Sequence, residues 1–242
     1  MKHFKSIQPL LSYTRRAVDT YNMILPNEKI AVGVSGGKDS MALLCALKGL
    51  SIFHPSNFSL VAITLDVGFP NSDLSPISDL CAQLEVPLHI IKTDIYDIVF
   101  KYRNEKCPCS LCAKLRRGAL HDAAISLGSR KLALGHHFDD VVETFMMNLF
   151  NEGRIGCFSP VTYLDRKDIT LIRPFIYLPE KMISGFINKE GITITEKVCP
   201  EDGKTDREKT KLLLHSLEKD DRGLKQRIFG AIERGEIDGW HI

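Results

Sequence analysis

Apolar and polar positions recur along the chain in two periods. Phe4, Ile7, Leu11, Thr14, Val18 and Tyr21 are spaced close to 3.6 residues apart, which predicts an amphipathic helix over residues 4 to about 25, stopped by Pro26-Asn27. Residues 29–34 and 59–66 are short, almost unbroken apolar runs. That pattern suits strands covered on both faces of a parallel sheet. Residues 87–93 and 131–135 read as two further strands. Helical periodicity fills the intervals: a helix to about Leu50, then 77–84, 95–102, 111–127 with Gly128 as its stop, and 138–150. Strand and helix alternate over 29–150, so the fold class expected is α/β, a parallel sheet flanked by helices. Beyond residue 155 the pattern changes. Residues 162–164 and 169–173 predict a hairpin. Pro179 starts a helix that Gly191 ends, Thr205-Asp206-Arg207-Glu208 is a capping box for a helix to about Leu217, and residues 224–234 form a last amphipathic helix. The expected organisation is one continuous domain in three stretches: an N-terminal helix (1–28), a central α/β unit (29–155) and a small C-terminal α/β elaboration (156–242).

Composition narrows the class. The chain has 242 residues, 44% hydrophobic and 26% charged, enough for one real core. No apolar stretch is long enough to span a bilayer. Residues 1–5 lead into polar sequence rather than an apolar signal region, so a cytoplasmic protein is expected. The net charge is only +2, but it is unevenly placed. Between residues 101 and 131 eight Lys or Arg face two acids, a local +6 suited to a polyanion such as RNA.

The chemistry begins where the first strand ends. Ser35-Gly36-Gly37-Lys38-Asp39-Ser40 joins that strand to a helix. Strand, glycine turn and helix present backbone N–H groups and a helix N-terminus to an anion. The glycines let the backbone come close, Lys38 adds charge, and Ser35 and Ser40 add hydroxyls. The spacing from Gly33 to Gly37 is one residue too short for the Walker loop. An SGGxDS run of this kind resembles the signature of the PP-loop ATP pyrophosphatases, which use ATP to adenylate a substrate.

Two other strand ends should meet the same crevice: Asp66 after the second, and Gly135-His136-His137 after the fourth. Asp139 and Asp140 follow at the start of a helix. They suit the helix dipole, and they also suit Mg²⁺ on nucleotide phosphates.

Seven cysteines in a chain expected to be cytoplasmic point to thiols, ligands or catalytic groups. Cys45 and Cys81 fall in apolar patterns and read as core, and Cys157 as a loop residue. Cys107-Pro-Cys109-Ser-Leu-Cys112 is different. Cys109 and Cys112 bring two sulfurs to one side of a helix's first turn, a spacing shared by zinc, iron–sulfur and dithiol sites. The helix N-terminus, Lys114, Arg116 and Arg117 are expected to lower the thiol pKa values. Four thiols (Cys107, Cys109, Cys112 and Cys199) could hold zinc, and three could hold a cluster with one iron open. ATP activation together with thiolates points to sulfur transfer onto an activated carbon.

Three motifs in order, residues 35–40, Cys109-Ser-Leu-Cys112-Ala-Lys-Leu-Arg-Arg-Gly118 and Leu134-Gly-His-His-Phe-Asp-Asp-Val-Val-Glu-Thr144, resemble the tRNA 2-thiocytidine synthetase family over residues 30 to about 190. The resemblance implies a Rossmann-like adenine nucleotide alpha hydrolase (PP-loop) fold, with 29–155 as the ATP-binding unit. It implies ATP at Ser35, Gly36, Gly37, Lys38, Asp39, Ser40, Asp66 and Gly135, with Lys38 and Asp39 catalytic and Mg²⁺ at Asp139 and Asp140. It further implies a [4Fe–4S] cluster on Cys109, Cys112 and, by position, Cys199. The activity implied is adenylation of cytidine 32 in a tRNA anticodon loop, followed by replacement of its oxygen with sulfur carried on the open iron. Lys114, Arg116 and Arg117 are the expected RNA contacts. A sulfur donor such as a cysteine desulfurase and a homodimer are the implied partners. The family's second CxxC is missing, because Cys199 is followed by Pro-Glu-Asp-Gly203. Cys107 is an extra thiol. The alternatives are a tRNA 2-thiouridine synthetase or another adenylating tRNA ligase, and a cluster- or metal-bearing RNA-binding or redox-sensing protein without catalysis.

Overall fold

The computed structural model describes residues 4–103, 108–196, 199 and 206–241. The hydrophobic runs become six strands: β1 Lys29–Gly33, β2 Ser59–Asp66, β3 Leu88–Lys92, β4 Lys131–Ala133, β5 Val161–Leu164 and β6 Ile169–Ile172. They form one sheet in the order β3-β2-β1-β4-β6-β5. Every neighbouring pair is parallel except the β5–β6 hairpin. The chain builds outward from β1 to β3 on one side, then returns to place β4 on the other. The reversal lies between β1 and β4, and a crevice opens at the carboxyl ends of such strands.

The helices are α1 Gln8–Thr20, α2 Lys38–Ser51, α3 Ser75–Leu84, α4 Pro108–Ser126, α5 Phe138–Asn151, α6 Glu180–Glu190, α7 Asp206–Asp220 and α8 Leu224–Arg234. Two boundaries differ from the sequence reading. The first helix ends at Thr20 rather than near residue 25, and the turn that follows takes Asn22 to φ +45°. The helix expected at 95–102 is a short π-helical turn, Asp97–Tyr102, immediately ahead of the cysteine-bearing stretch.

The two faces of the sheet are covered unequally. On one face α1, α2, α3, α5, α6 and α8 pack into one large core running from Phe4 to Trp240. The other face has a smaller core. There Ala123 and Ala124 of α4 lie with Ala31, Val61, Ile63, Leu132, Ile169 and Leu171. The small alanines let α4 sit close to the sheet. A crossover helix runs antiparallel to the strands it joins, so the α4 N-terminus is at the crevice end of the sheet.

Candidate active site

A cavity of about 820 Å³ lies at the switch point. Its floor is Gly33, Val34, Ser35, Gly37, Asp39 and Ser40. One wall is Ile63, Leu65 and Val67 from β2 and its exit, and another is Arg116, Arg117, Leu120 and His121 from α4. Gly135, His136, Phe158, Arg173, Thr195, Glu196 and Cys199 complete it. This volume is in the range of small-molecule sites.

The loop is shaped by its own hydroxyl. Ser40 Oγ donates to the Gly37 carbonyl at 3.0 Å and accepts from Ser35 N at 3.1 Å. Ser40 therefore fixes the turn, and the N-terminus of α2 is left facing the cavity. Gly36 has φ +82°, and its carbonyl accepts a hydrogen bond from Thr195 N at 3.0 Å. A Cβ there would lie 2.2 Å from Thr195 Oγ1, so glycine is required by both conformation and space. Gly135 is favoured by proximity: a Cβ would stand 3.2 Å from the Asp39 carbonyl carbon and Ser40 N, so the phosphate-loop backbone would have to shift by a few tenths of an ångström.

Lys38 is turned toward a neighbouring helix. Its Nζ lies 2.9 Å from Glu180 Oε1 and 3.1 Å from Asp39 Oδ2. Burial alone would lower the ammonium pKa, but Asp39 and Glu180 more than reverse this and hold it above the usual lysine value. Burial would likewise raise Glu180, yet Lys211 and Lys38 bring it down to about 2. Asp39 Oδ1 is buried without a hydrogen-bond partner.

Several expected site residues do not reach the cavity. Asp66 sits between Leu65 and Val67, which do. Side chains alternate along a strand, so its carboxylate faces away and instead accepts from Gly68 N at 3.1 Å. Asp139 accepts from Glu180 N at 2.8 Å and from Lys225 Nζ at 2.7 Å. Asp140 accepts from His137 N at 2.9 Å in a reciprocal cap of α5 and from Arg207 Nη1 at 3.0 Å. Neither lines the cavity, because helices α6, α7 and α8 supply their partners. Among the described residues, no three His, Cys, Asp or Glu converge closely enough to hold a single metal ion.

The cysteines gather at the cavity mouth. Cys199 lines it, Cys112 is half-buried in the opening turns of α4, and Cys109 is exposed one turn earlier. Cys107 lies outside the described residues. The expected drop in thiol pKa does not hold at Cys112. Burial pushes it up, Arg116 pulls it down, and the neighbouring Cys199 and Cys109 push it up again. Cys199 and Cys109 thus each lie within electrostatic reach of Cys112. A soft, all-thiolate donor set suits an iron–sulfur cluster, whose irons are spread over a larger volume than one ion, and does not suit Mg²⁺. Arg116 and Arg117 line the cavity while exposed to solvent, and Lys114 is exposed beside them.

The sequence reading missed Arg173, Phe158, Thr195 and Glu180. The one local signal was an arginine directly after the apolar residues 169–172, at the carboxyl end of a strand.

A model of the PP-loop domain matches residues 9–212. The chain is 39% identical over 220 residues to the tRNA-cytidine(32) 2-sulfurtransferase of Geobacter sulfurreducens, covering 90% of this chain and 86% of that one. It is 35% identical to the tRNA-cytidine(32) 2-sulfurtransferase of Syntrophotalea carbinolica, covering 99% and 92%. The chain belongs to the tRNA-cytidine(32) 2-sulfurtransferase family of PP-loop proteins.

Among solved structures, the family fold is similar to the U34-tRNA thiolase NcsA of Methanococcus maripaludis with its [4Fe-4S] cluster. The TM-score is 0.76 at 25% identity, covering 93% of this chain and 78% of that one. An NH3-dependent NAD synthetase of Campylobacter jejuni shares the fold alone, with TM-score 0.50 at 16% identity. Ser35, Gly37, Asp39, Ser40, Gly135 and His136 thus border one cavity with Cys199 at its wall, and Cys112 feels the charge of Cys199 from the start of α4. Among the described residues no helix of this family member is long and apolar enough to cross a membrane.

Proposed function

We propose that the protein is an ATP-dependent tRNA sulfurtransferase that adenylates cytidine 32 and exchanges its 2-oxygen for sulfur, releasing AMP and pyrophosphate. The carrying observation is that the phosphate loop and Cys199 line the same cavity, so an activated base and a sulfur-bearing site need not separate.

ATP lies with its terminal phosphates on the N–H groups of residues 36–38 and the α2 N-terminus. Lys38 exchanges Glu180 for phosphate oxygen. For Mg²⁺ the fitting donor is Asp39, whose Oδ1 is buried without a hydrogen-bond partner, with His137 Nε2 3.7 Å away. Asp139 and Asp140 would join only after releasing Lys225 and Arg207. The cytosine 2-oxygen attacks the α-phosphorus and pyrophosphate leaves. Sulfur then adds at C2 and AMP departs with the original oxygen. Loop N–H groups oriented in advance stabilise the charge that develops on the phosphates. Cys109, Cys112 and Cys199 would hold a [4Fe–4S] cluster, which supplies an iron site for the sulfur. Lys114, Arg116 and Arg117 take the RNA backbone at the rim. A cysteine desulfurase as sulfur donor, a homodimer and a cytoplasmic setting complete this reading.

One observation favours a second reading: the similarity to a U34-tRNA thiolase, which would make the product a 2-thiouridine. A single experiment separates the two. A strain lacking the gene is complemented with wild type or Cys109→Ala, and tRNA nucleosides are analysed. Wild type should restore 2-thiocytidine and Cys109→Ala should not. Restoration of 2-thiouridine instead would select the second reading, and full activity of Cys109→Ala would reject both.

A further inference from the structure

Two lysine or arginine side chains are buried among the described residues, Lys131 and Arg173. Lys131 is matched by Glu28 at 2.6 Å. Arg173 has no carboxylate against it among the described residues; its only charge-like neighbour of opposite sign is the Cys157 thiol. Burying an unmatched charge costs several kcal/mol. Its remaining contacts hold the guanidinium in place without neutralising it. Nη1 donates to the Ser159 carbonyl at 2.6 Å and to Thr162 Oγ1 at 3.0 Å, and the group stands 5.0 Å over the Phe158 ring. Nε is buried with no acceptor.

The position is specific. Arg173 follows β6, whose Ile172 carbonyl accepts from Leu134 N at 3.0 Å. Leu134 leads to Gly135, which abuts Asp39 and Ser40 of the phosphate loop. Arg173 therefore lines the cavity one strand end away from the loop. His136 lies between them, its ring 5.0 Å from the same Phe158 and its Nδ1 buried without a partner. Burial, then the Arg173 charge, pushes His136 down to about 4, so it adds a neutral polar edge and no repulsion at neutral pH. The acids that line the cavity, Asp39 and Glu196, do not pair with Arg173. Nε is the guanidinium nitrogen left buried without a protein acceptor, on the edge away from Nη1, and such an edge is a fork whose two N–H groups match two phosphate oxygens.

We propose that Arg173 is a further substrate-contacting residue of this reaction, clamping the oxyanion of the nucleotide α-phosphate, which stays on the base as the adenylate after pyrophosphate has left. The loop and α2 N-terminus serve the other two phosphates, and Arg173 lies beyond them toward β6. Arg116 and Arg117 are exposed cations at the rim and serve RNA phosphates. This assignment rests on the ATP-using reading above.

Binding of ATP, AMP, pyrophosphate and adenosine is measured by calorimetry on wild type, Arg173→Gln and Arg173→Lys. In Arg173→Gln the AMP dissociation constant should rise about tenfold, the worth of a hydrogen bond to a charged group, while pyrophosphate and adenosine are unaffected. Unchanged AMP affinity, or weakened pyrophosphate with AMP unchanged, overturns the assignment. Should Arg173→Gln not fold, the wild-type protein decides. With ¹⁵N-labelled arginine, the Nε signal that is absent from Arg173→Lys must move on saturation with AMP and stay put with adenosine; a signal unmoved by bound AMP overturns the assignment. Wild type that binds no ATP would sink the ATP-using reading itself. Wild type that binds ATP beside variants that bind AMP equally well sinks only the role of Arg173.

Discussion

Lys38 Nζ and Glu180 Oε1 lie 2.9 Å apart, so the lysine of the phosphate loop is held by a helix that follows it by some 140 residues in sequence. Glu180 also pairs with Lys211 Nζ at 2.9 Å. Its folded pKa, about 2, is below the ordinary value of 4.5. The ionised carboxylate therefore stabilises the fold above about pH 4.5, and this is lost as pH falls toward 2. Glu180→Gln should cost on the order of 2 kcal/mol at pH 7. Urea titrations of both proteins should show the gap closing below about pH 4.5; a gap independent of pH would reject the pairing as its source.

Glu143 shifts in the opposite direction. It is 3% exposed and 3.6 Å from Arg207 Nη1. Burial first, and the Asp140 charge second, raise it to about 7. The folded state thus holds a proton that the unfolded state gives up near 4.5, so stability falls as pH rises from there through about 7. Glu143→Gln should raise the melting temperature at pH 8 and do little at pH 5. An equal effect at both values would contradict the shift.

Gly36→Ala combines a positive φ with a collision against Thr195. The expected loss is about 2 kcal/mol of stability together with displacement of the segment leading to Cys199. Thermal melts report the first. The second appears as slower or incomplete formation of the visible iron–sulfur absorption when apoprotein is reconstituted with iron and sulfide. Normal melting and normal reconstitution would show that the close approach of Gly36 to Thr195 is dispensable.

Arg116 and Arg117 can be tested through salt. Changing both to Ala should weaken tRNA binding and flatten the slope of log affinity against log salt by about 1 for each phosphate that is no longer neutralised. An unchanged slope would remove them from the RNA interface.

The strand–loop–helix at residues 29–51 was legible because glycine, lysine and apolar periodicity all act locally. The same holds for the last helix, Leu224–Arg234, whose bounds the periodicity reproduces. The site was legible only in part. Asp139 and Asp140 read equally well as metal ligands or as helix-start carboxylates, and Arg207 and Lys225, on distant helices, settle what they touch. Asp66 stands one residue of register away from the cavity-lining Leu65 and Val67, and period two makes that the difference between the two faces of the sheet. Thiol pKa at Cys112 turned on burial, which charge counting along the helix does not reveal. Arg173 and Thr195 become visible only when strands and loops far apart in sequence are brought together.

Trp240 is almost fully buried, and its Nε1 donates to the Phe158 carbonyl at 2.9 Å across 82 residues of sequence. Phe158 is the ring beside both Arg173 and His136. A wall of the cavity is thus pinned by a side chain far along the chain: a protein cut ahead of Trp240 would keep all six strands yet lose the tie on the Phe158 carbonyl.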